Sequence, residues 1–348
     1  MNKPHLSFLA AAVAVGLALT ACGGESQAEA PSSGGASLDT VTVQLDYTVR
    51  GNHAMFFVAD ELGFFEEEGI DVKSISKGTG SPDAMRIVGN GQADFGFGDL
   101  PTLVTARSQG VGVTALAAVN QETPLSVCSL SENLEFDGMD SLAGRNIGVH
   151  PAGSTYLFWK ALLAANGMTQ EDVNELTVTP PYESFLLTGK VDAVICYVDA
   201  EVPELEAKAG GEGSLSILLG SEYGYDVYGS GMFTSDKLVE ENPELVQRFT
   251  NAYIRAFDYV LENPKEAADI LAASSSELKD KAPVFLEQIE ADIKYTFESE
   301  ATKADGLGAM TEQMWQATID VLVEQGVIAD APETSKVYSN TFVKGANG

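Results

Sequence analysis

Hydrophobic and polar positions in this chain switch repeatedly between a period near two and a period near four. The run VTVQL at 41–45 reads as a strand, and Arg50-Gly51-Asn52 breaks it. Met55, Val58, Ala59 and Leu62 then recur at helical spacing until Gly63 ends the stripe. An acidic bend leads into a second strand, IDVKSI. Strand, loop, helix, strand is one βαβ unit. In open α/β sheets ligands sit at the carboxyl ends of strands, near helix N-termini, and here that place is Asp46–His53.

The pattern continues in kind. A glycine loop, Lys77–Gly80, precedes a short helix for which Ser81 is the expected N-cap, with Pro82 and Asp83 in the first turn. ADFGFGD is a buried strand ending at Asp99, PTLVTARSQG a helix and VGVTALAAV a strand. A polar bend, Asn120–Thr123, comes before Pro124 and reads as a first hinge. A second set of units follows: the strand SLAGRNIGVH, the loop PAGSTY, and a helix with Leu157, Phe158, Ala161, Leu162 and Ala165 facing inward. Strand, short helix, strand and helix come next, through VDAVICYVDAEVPELEAK. A second hinge is expected near Ser221–Tyr228. GSP at 80–82 answers GST at 153–155, and GQADF at 91–95 answers GKVDA at 189–193, at offsets too unequal for a strict repeat. The same architectural unit is built twice, with its loops facing one cleft. The expected lobes are 40–123 with 226–348, and 124–225. Two connecting strands between lobes favour hinge closure around a ligand.

The N-terminus is of another kind. Met1–His5 is short and basic, Leu6–Leu19 is apolar and uncharged, and Ala21-Cys22 closes the segment, so residues 1–21 read as a secretory signal too short for an ordinary membrane span. The ending L-T-A-C resembles a bacterial lipobox, which implies that Cys22 carries a lipid; a simple signal cleaved nearby is the alternative. Residues 22–39, rich in Gly, Ser and Pro, form a flexible tether.

Composition narrows the function. Asp and Glu total 51 against 20 Lys and Arg, a formal charge of −31, which excludes nucleic acid as a partner. The negative field also weighs against a highly anionic solute, although a local helix N-terminus can overrule it. Of three cysteines, Cys128 and Cys196 remain after Cys22 and lie in strand-like runs. An oxidising compartment permits a bridge between them, and two buried thiols are the other reading. No Cys/His spacing suits a metal, and no cofactor is expected. No nucleophile elbow, HExxH or Walker loop is present, which weighs against an enzyme; an extracytoplasmic enzyme of pyrimidine synthesis or a hydrolase is the alternative of a different class.

The stretch D-Y-x-x-x-x-N-H-A followed by FFVADELGFFEEEGIDV resembles the opening of the NMT1/THI5-like solute-binding proteins of ABC importers. ENPELVQRFTNAYIRAFDYVLENPKEAADILAA resembles their C-terminal helices, so the likeness spans roughly residues 40–345. It implies an α/β, two-lobed periplasmic-binding-protein-like fold of type II, with two crossover strands and extra C-terminal helices. It also implies a small-molecule solute, with permease and ATPase partners. The receptor would be a monomer anchored outside the cell by lipid alone. Ligands of the family include thiamin pyrimidine precursors, sulfonates, taurine and nitrate, and one eukaryotic relative is an enzyme that consumes a pocket histidine. Asn52-His53 matches the turn at the pyrimidine receptors' pocket, and a ligand hydrogen bond from His53 is favoured over a structural role. Where those receptors carry Trp-Thr-Pro-like and Gly-Trp-Gly-Thr-type segments, this chain has Asp46-Tyr47-Thr48 and His150-Pro151-Ala152-Gly153-Ser154.

The expected cleft residues are Asp46, Tyr47, Asn52, His53, Gly80, Ser81 and Asp99 from the first lobe. The second lobe supplies Gly153, Ser154, Thr155, Tyr182, Tyr197 and Asp199, and the hinge Tyr225 and Tyr228. Tyrosine faces suit an aromatic heterocycle, and Asp46, Asp99, Glu183 and Asp199 can accept from its N–H groups. A sulfonate or carboxylate would instead need Arg50 or an inward helix N-terminus.

Overall fold

The computed structural model of the chain describes residues 38–151, 154–179 and 182–348, and for Ser154 the backbone alone. The signal segment, Cys22, Gly153 and all but the last residues of the tether lie outside the described residues. The chain begins with β1 (Asp39–Gln44), α1 (Ala54–Glu61), α2 (Phe64–Glu67), β2 (Ile70–Ser76), α3 (Ser81–Gly89), β3 (Phe95–Asp99), α4 (Leu100–Ser108) and β4 (Val113–Ala118). It crosses to β5 (Leu125–Leu130) and builds β6 (Asn146–Val149), α5 (Ser154–Ala165), β7 (Asn174–Thr177), α6 (Glu183–Leu187), β8 (Ala193–Tyr197), α7 (Glu201–Ala209) and β9 (Leu215–Leu219). It returns through β10 (Ser230–Ser235) and closes with α8 (Asp236–Glu241), α9 (Pro243–Glu262), α10 (Pro264–Ala273), α11 (Ala282–Tyr295), α12 (Glu300–Asp305), α13 (Glu312–Glu324) and α14 (Thr341–Asn347). Among the described residues no helix is long and apolar enough to cross a membrane.

The strands form two five-stranded sheets, β2-β1-β3-β10-β4 and β7-β6-β8-β5-β9. In each sheet three strands run parallel, and a fourth pairs antiparallel with the third and with the edge strand. The antiparallel strand is the one by which the chain crosses: β5 on entering the second lobe, β10 on returning to the first. The two halves are therefore topological copies, and the carboxyl ends of β1, β3, β6 and β8 are the places where side chains can meet between them.

The first lobe's core owes most to α9, whose apolar stripe packs on α1 and the sheet. Phe249 stacks on Phe95, with centroids 3.6 Å apart, and on Phe65, 4.7 Å away. Two expectations fail locally. The N-cap of α3 is Gly80, at a φ of 150° that favours glycine, and Ser81 is the first helical residue. Its hydroxyl accepts from the Asp99 amide instead (3.1 Å). In α5 the buried face runs over Phe158, Trp159, Ala161, Leu162 and Leu163 and ends before Ala165, which is exposed. Cys128 of β5 and Cys196 of β8 are bonded through sulfur, with Cα atoms 6.0 Å apart, and both are buried.

Candidate functional site

A cavity of about 620 Å³ opens between the two sheets, a size suited to a small organic molecule. Three parts of the chain wall it. The first lobe supplies residues 46–50 after β1 and 79–83 at the start of α3. The second supplies His150, Thr155, Tyr182, Glu183 and the turn from Tyr197 into α7. The third wall is α11, through Lys281, Val284, Phe285 and Gln288. That helix reaches the site because Gly51 has no side chain: a Cβ there would lie 2.7 Å from Gln288 Cβ and 2.9 Å from the Ile289 nitrogen.

The floor on the first-lobe side is an ion pair held by a histidine. Asp46 Oδ2 accepts from Arg50 Nη2 (3.2 Å) and from the Ser81 hydroxyl (3.5 Å). His53 Nδ1 accepts from the Arg50 amide (3.2 Å), so Nε2 carries the proton and donates to Asp46 Oδ1 (3.0 Å). Burial pushes the Asp46 carboxyl up, but the Arg50 guanidinium and the His53 bond outweigh it and hold it below the usual range. Burial keeps His53 neutral against the pull of Asp46. The Arg50 guanidinium stands 5.5 Å from the centre of the Tyr197 ring, a cation–π contact between the lobes.

The rest of the site is a reserve of acceptors drawn from both lobes. Glu201 Oε2 accepts from the Tyr197 amide (2.9 Å), and burial raises its carboxyl to about 7, opposed by Arg50. Asp199 is buried and accepts from Asn52 Nδ2 across the lobe boundary (3.3 Å). Asp99, the N-cap of α4, accepts from the Thr102 amide (2.9 Å), and burial raises it to about 6. Asp46, Asp99, Asp199 and Glu201 thus surround Arg50, and the arrangement offers far more acceptors than donors. Among the described residues no group of three or more His, Cys, Asp or Glu side chains is placed to hold a metal ion.

A family model described as "NMT1/THI5 like" matches residues 50–267. The chain belongs to that family. The formylaminopyrimidine-binding protein of Halalkalibacterium halodurans is 26% identical over 301 residues, 84% of this chain and 89% of that protein. The riboflavin-binding protein RibY of Chloroflexus aurantiacus is 24% identical over 98% of this chain and 99% of its own length. The 4-amino-5-hydroxymethyl-2-methylpyrimidine phosphate synthase THI5 of Saccharomyces cerevisiae is 28% identical over 66% of this chain and 70% of its own. Among solved structures, the periplasmic aliphatic sulphonate-binding protein SsuA of Escherichia coli superposes with a TM-score of 0.66 at 15% identity, over 88% of this chain and 100% of that one. The fold is the two-lobed, type II periplasmic-binding fold.

In this family member the residues expected at the cleft separate into layers. Asp46, Tyr47, Gly80, Ser81, Thr155, Tyr182 and Tyr197 line the cavity. Asn52, His53, Asp99 and Asp199 lie behind it. His53 is fully enclosed, with both ring nitrogens held by Arg50 and Asp46 and its ring edge-on to Phe97, so it braces the floor and does not line the cavity. Tyr225 packs on Phe158 in the second-lobe core. Tyr228 packs on Trp315 in the first-lobe core, where its hydroxyl accepts from the Thr311 amide (2.7 Å). Both tyrosines expected at the hinge are instead enclosed in apolar clusters. Gly153 and the Ser154 side chain lie outside the described residues. Glu201, Glu204, Asp83 and the α11 residues were missed; Asp83, Glu201 and Glu204 had a local signal, as carboxylates in the first turn of a helix after a strand end, and the α11 residues had none.

Proposed function

We propose that this chain is the substrate-binding protein of an ABC importer and that it captures a neutral or cationic heteroaromatic solute between its lobes. The observation that carries the reading is the cavity wall. Tyr47, Tyr182 and Tyr197 offer flat faces, Glu183 and Glu201 offer acceptors, and the Arg50 guanidinium is already neutralised by Asp46. An amino-substituted ring stacks on the tyrosines and donates to the carboxyl groups. The names of the pyrimidine- and flavin-binding relatives support this class. Residues 1–21 would be removed, Cys22 lipidated and the domain tethered by 22–39 at the outer face of the cell membrane. There the monomer, with lobes 40–123 plus 226–348 and 124–225, would present its cargo to a permease and its ATPase. Recognition is the whole activity: His53 is enclosed and engaged at both nitrogens, which favours a receptor over the synthase chemistry named for the yeast relative.

An organic anion such as a sulfonate is the second reading, favoured by Arg50, Lys281 and the start of α3 at the same cavity. Thermal-shift and calorimetric titration of the purified protein decides between them. A formylaminopyrimidine or riboflavin present at about 100 times its Kd should stabilise the fold by about 2.7 kcal/mol and be recovered unaltered. A response to alkanesulfonates alone selects the anion reading, and turnover of the bound compound selects the enzyme. Tyr47, 45% exposed at the rim, can be removed without touching the core. Tyr47→Ala should therefore weaken binding with the ligand-free Tm unchanged.

A further inference from the structure

Behind the cavity two buried carboxyl groups from different parts of the fold meet without a donor between them. Gln288 and Asp292 lie four residues apart on α11 and so share one face of it. Gln288 Oε1 accepts from the Gly51 amide (2.9 Å), and its Nε2 donates to the Ala200 carbonyl (3.4 Å). One turn on, Asp292 comes up against Asp199, the residue before Ala200, and the two buried carboxyl groups act directly on each other. Asp292 Oδ1 accepts from Asn120 Nδ2 (2.6 Å) and Thr296 Oγ1 (2.8 Å), and Asp199 Oδ2 from Asn52 Nδ2 (3.3 Å). The remaining oxygens, Asp199 Oδ1 and Asp292 Oδ2, are buried and receive nothing.

Ionised carboxylates only accept, so two such buried groups with unpartnered oxygens repel in a dry interior. A proton on either one turns the same contact into a charge-assisted O–H···O bond. We propose that Asp199 and Asp292 share one proton, and that this bond fastens α11 to the second lobe. Asp292 is then the positioning residue for the 199–201 turn and the cavity wall it carries. The proposal goes beyond the receptor reading and does not depend on the ligand. The charges facing the pair agree with it. Arg50, from the loop after β1, acts on both carboxyls but is divided among Asp46, Asp199 and Glu201, and Asp46 adds a further negative charge at Asp199. Burial pushes both members of the pair above the ordinary carboxylate range.

The sign follows from linkage. A proton held more tightly folded than unfolded stabilises the fold at acid pH, and that contribution is lost as pH rises through the folded value. The test uses the purified, ligand-free protein: wild type, Asp292→Asn and the double variant Asp199→Asn/Asp292→Asn, melted across the range from about pH 5 to about pH 9. The asparagine amide of Asp292→Asn donates permanently to Asp199. Its Tm should therefore track wild type in acid and exceed it by about 4 °C or more in alkali. Small-angle scattering should show the wild type expanding with pH while Asp292→Asn does not. Infrared difference spectra at neutral pH should lose one protonated-carboxyl C=O band in the single variant. Parallel melting curves with no lost band would overturn the proposal. Should neither variant fold, carbon-13 titration of the wild-type aspartate carboxyls decides: retention of one proton by the pair above about pH 7 supports it, and full ionisation by about pH 5 overturns it.

Discussion

Glu201 holds a carboxyl at the cavity wall that titrates near neutrality because burial opposes its charge and Arg50 only partly compensates. Its folded value of about 7 lies above that of an unfolded glutamate, so its contribution to stability is complete in acid and disappears as pH rises toward 7. Glu201→Gln should flatten that part of the melting profile, gaining on the order of 2 kcal/mol over wild type at alkaline pH. If the profiles of Glu201→Gln and wild type stay parallel, the carboxyl is ionised throughout and burial does not raise it. Asp46, Tyr47 and the start of α3 could be read in advance because a strand end and a helix start are local features. Glu201 was overlooked for its neighbour Asp199, since a run such as VDAEVPE does not disclose which carboxylate faces the cavity and which faces α11. Tyr228 was misplaced for the same reason: a tyrosine suits a cleft and a core equally, and Trp315, nearly ninety residues later, decided it.

Two elements set the form of the second lobe and of the cavity's third wall. The disulfide joins β5, by which the chain enters the second lobe, to β8, whose end carries Tyr197, and it closes a separation of 68 residues. A loop of that length confers about 4 kcal/mol by restricting the unfolded chain. Cys128→Ala/Cys196→Ala should therefore lower Tm by roughly 10 °C while keeping the fold, because both sites are enclosed by apolar neighbours that tolerate a small side chain. An unchanged Tm would mean that the bridge does not form in the isolated protein. The two cysteines could be paired as candidates because both lie in apolar strands. The role of α11 was not legible. Its apolar stripe predicts a helix, but what brings Phe285, Gln288 and Asp292 to the cleft is the missing side chain of Gly51, more than 230 residues away in the chain. Helices and strands were legible from their own periodicity, whereas the place where tertiary docking seats α11 left no trace in its sequence.

At the scale of the whole molecule, the excess of 51 acidic over 20 basic side chains acts on the fold as a distributed repulsion. Two effects of salt oppose each other. Screening weakens exposed ion pairs such as Lys77–Glu277 and Arg255–Glu67, which are weak to begin with. Screening also relieves repulsion among the many unpaired carboxylates once the Debye length falls from about 10 Å at 0.1 M toward about 3 Å at 1 M. With more than twice as many acidic as basic groups, relief of repulsion is the larger effect. The Tm should therefore rise by roughly 5 °C or more between about 0.05 M and about 0.5 M sodium chloride. Choline chloride at matched ionic strength should act equally if screening is the cause, and sodium sulfate should add a further rise through its exclusion from the surface. The proton shared by Asp199 and Asp292 lies out of reach of that screening, so the pH-dependent gap between wild type and Asp292→Asn should persist at high salt while the common baseline moves. A gap that closed with salt would assign the pH effect to the surface and leave the buried pair without a function.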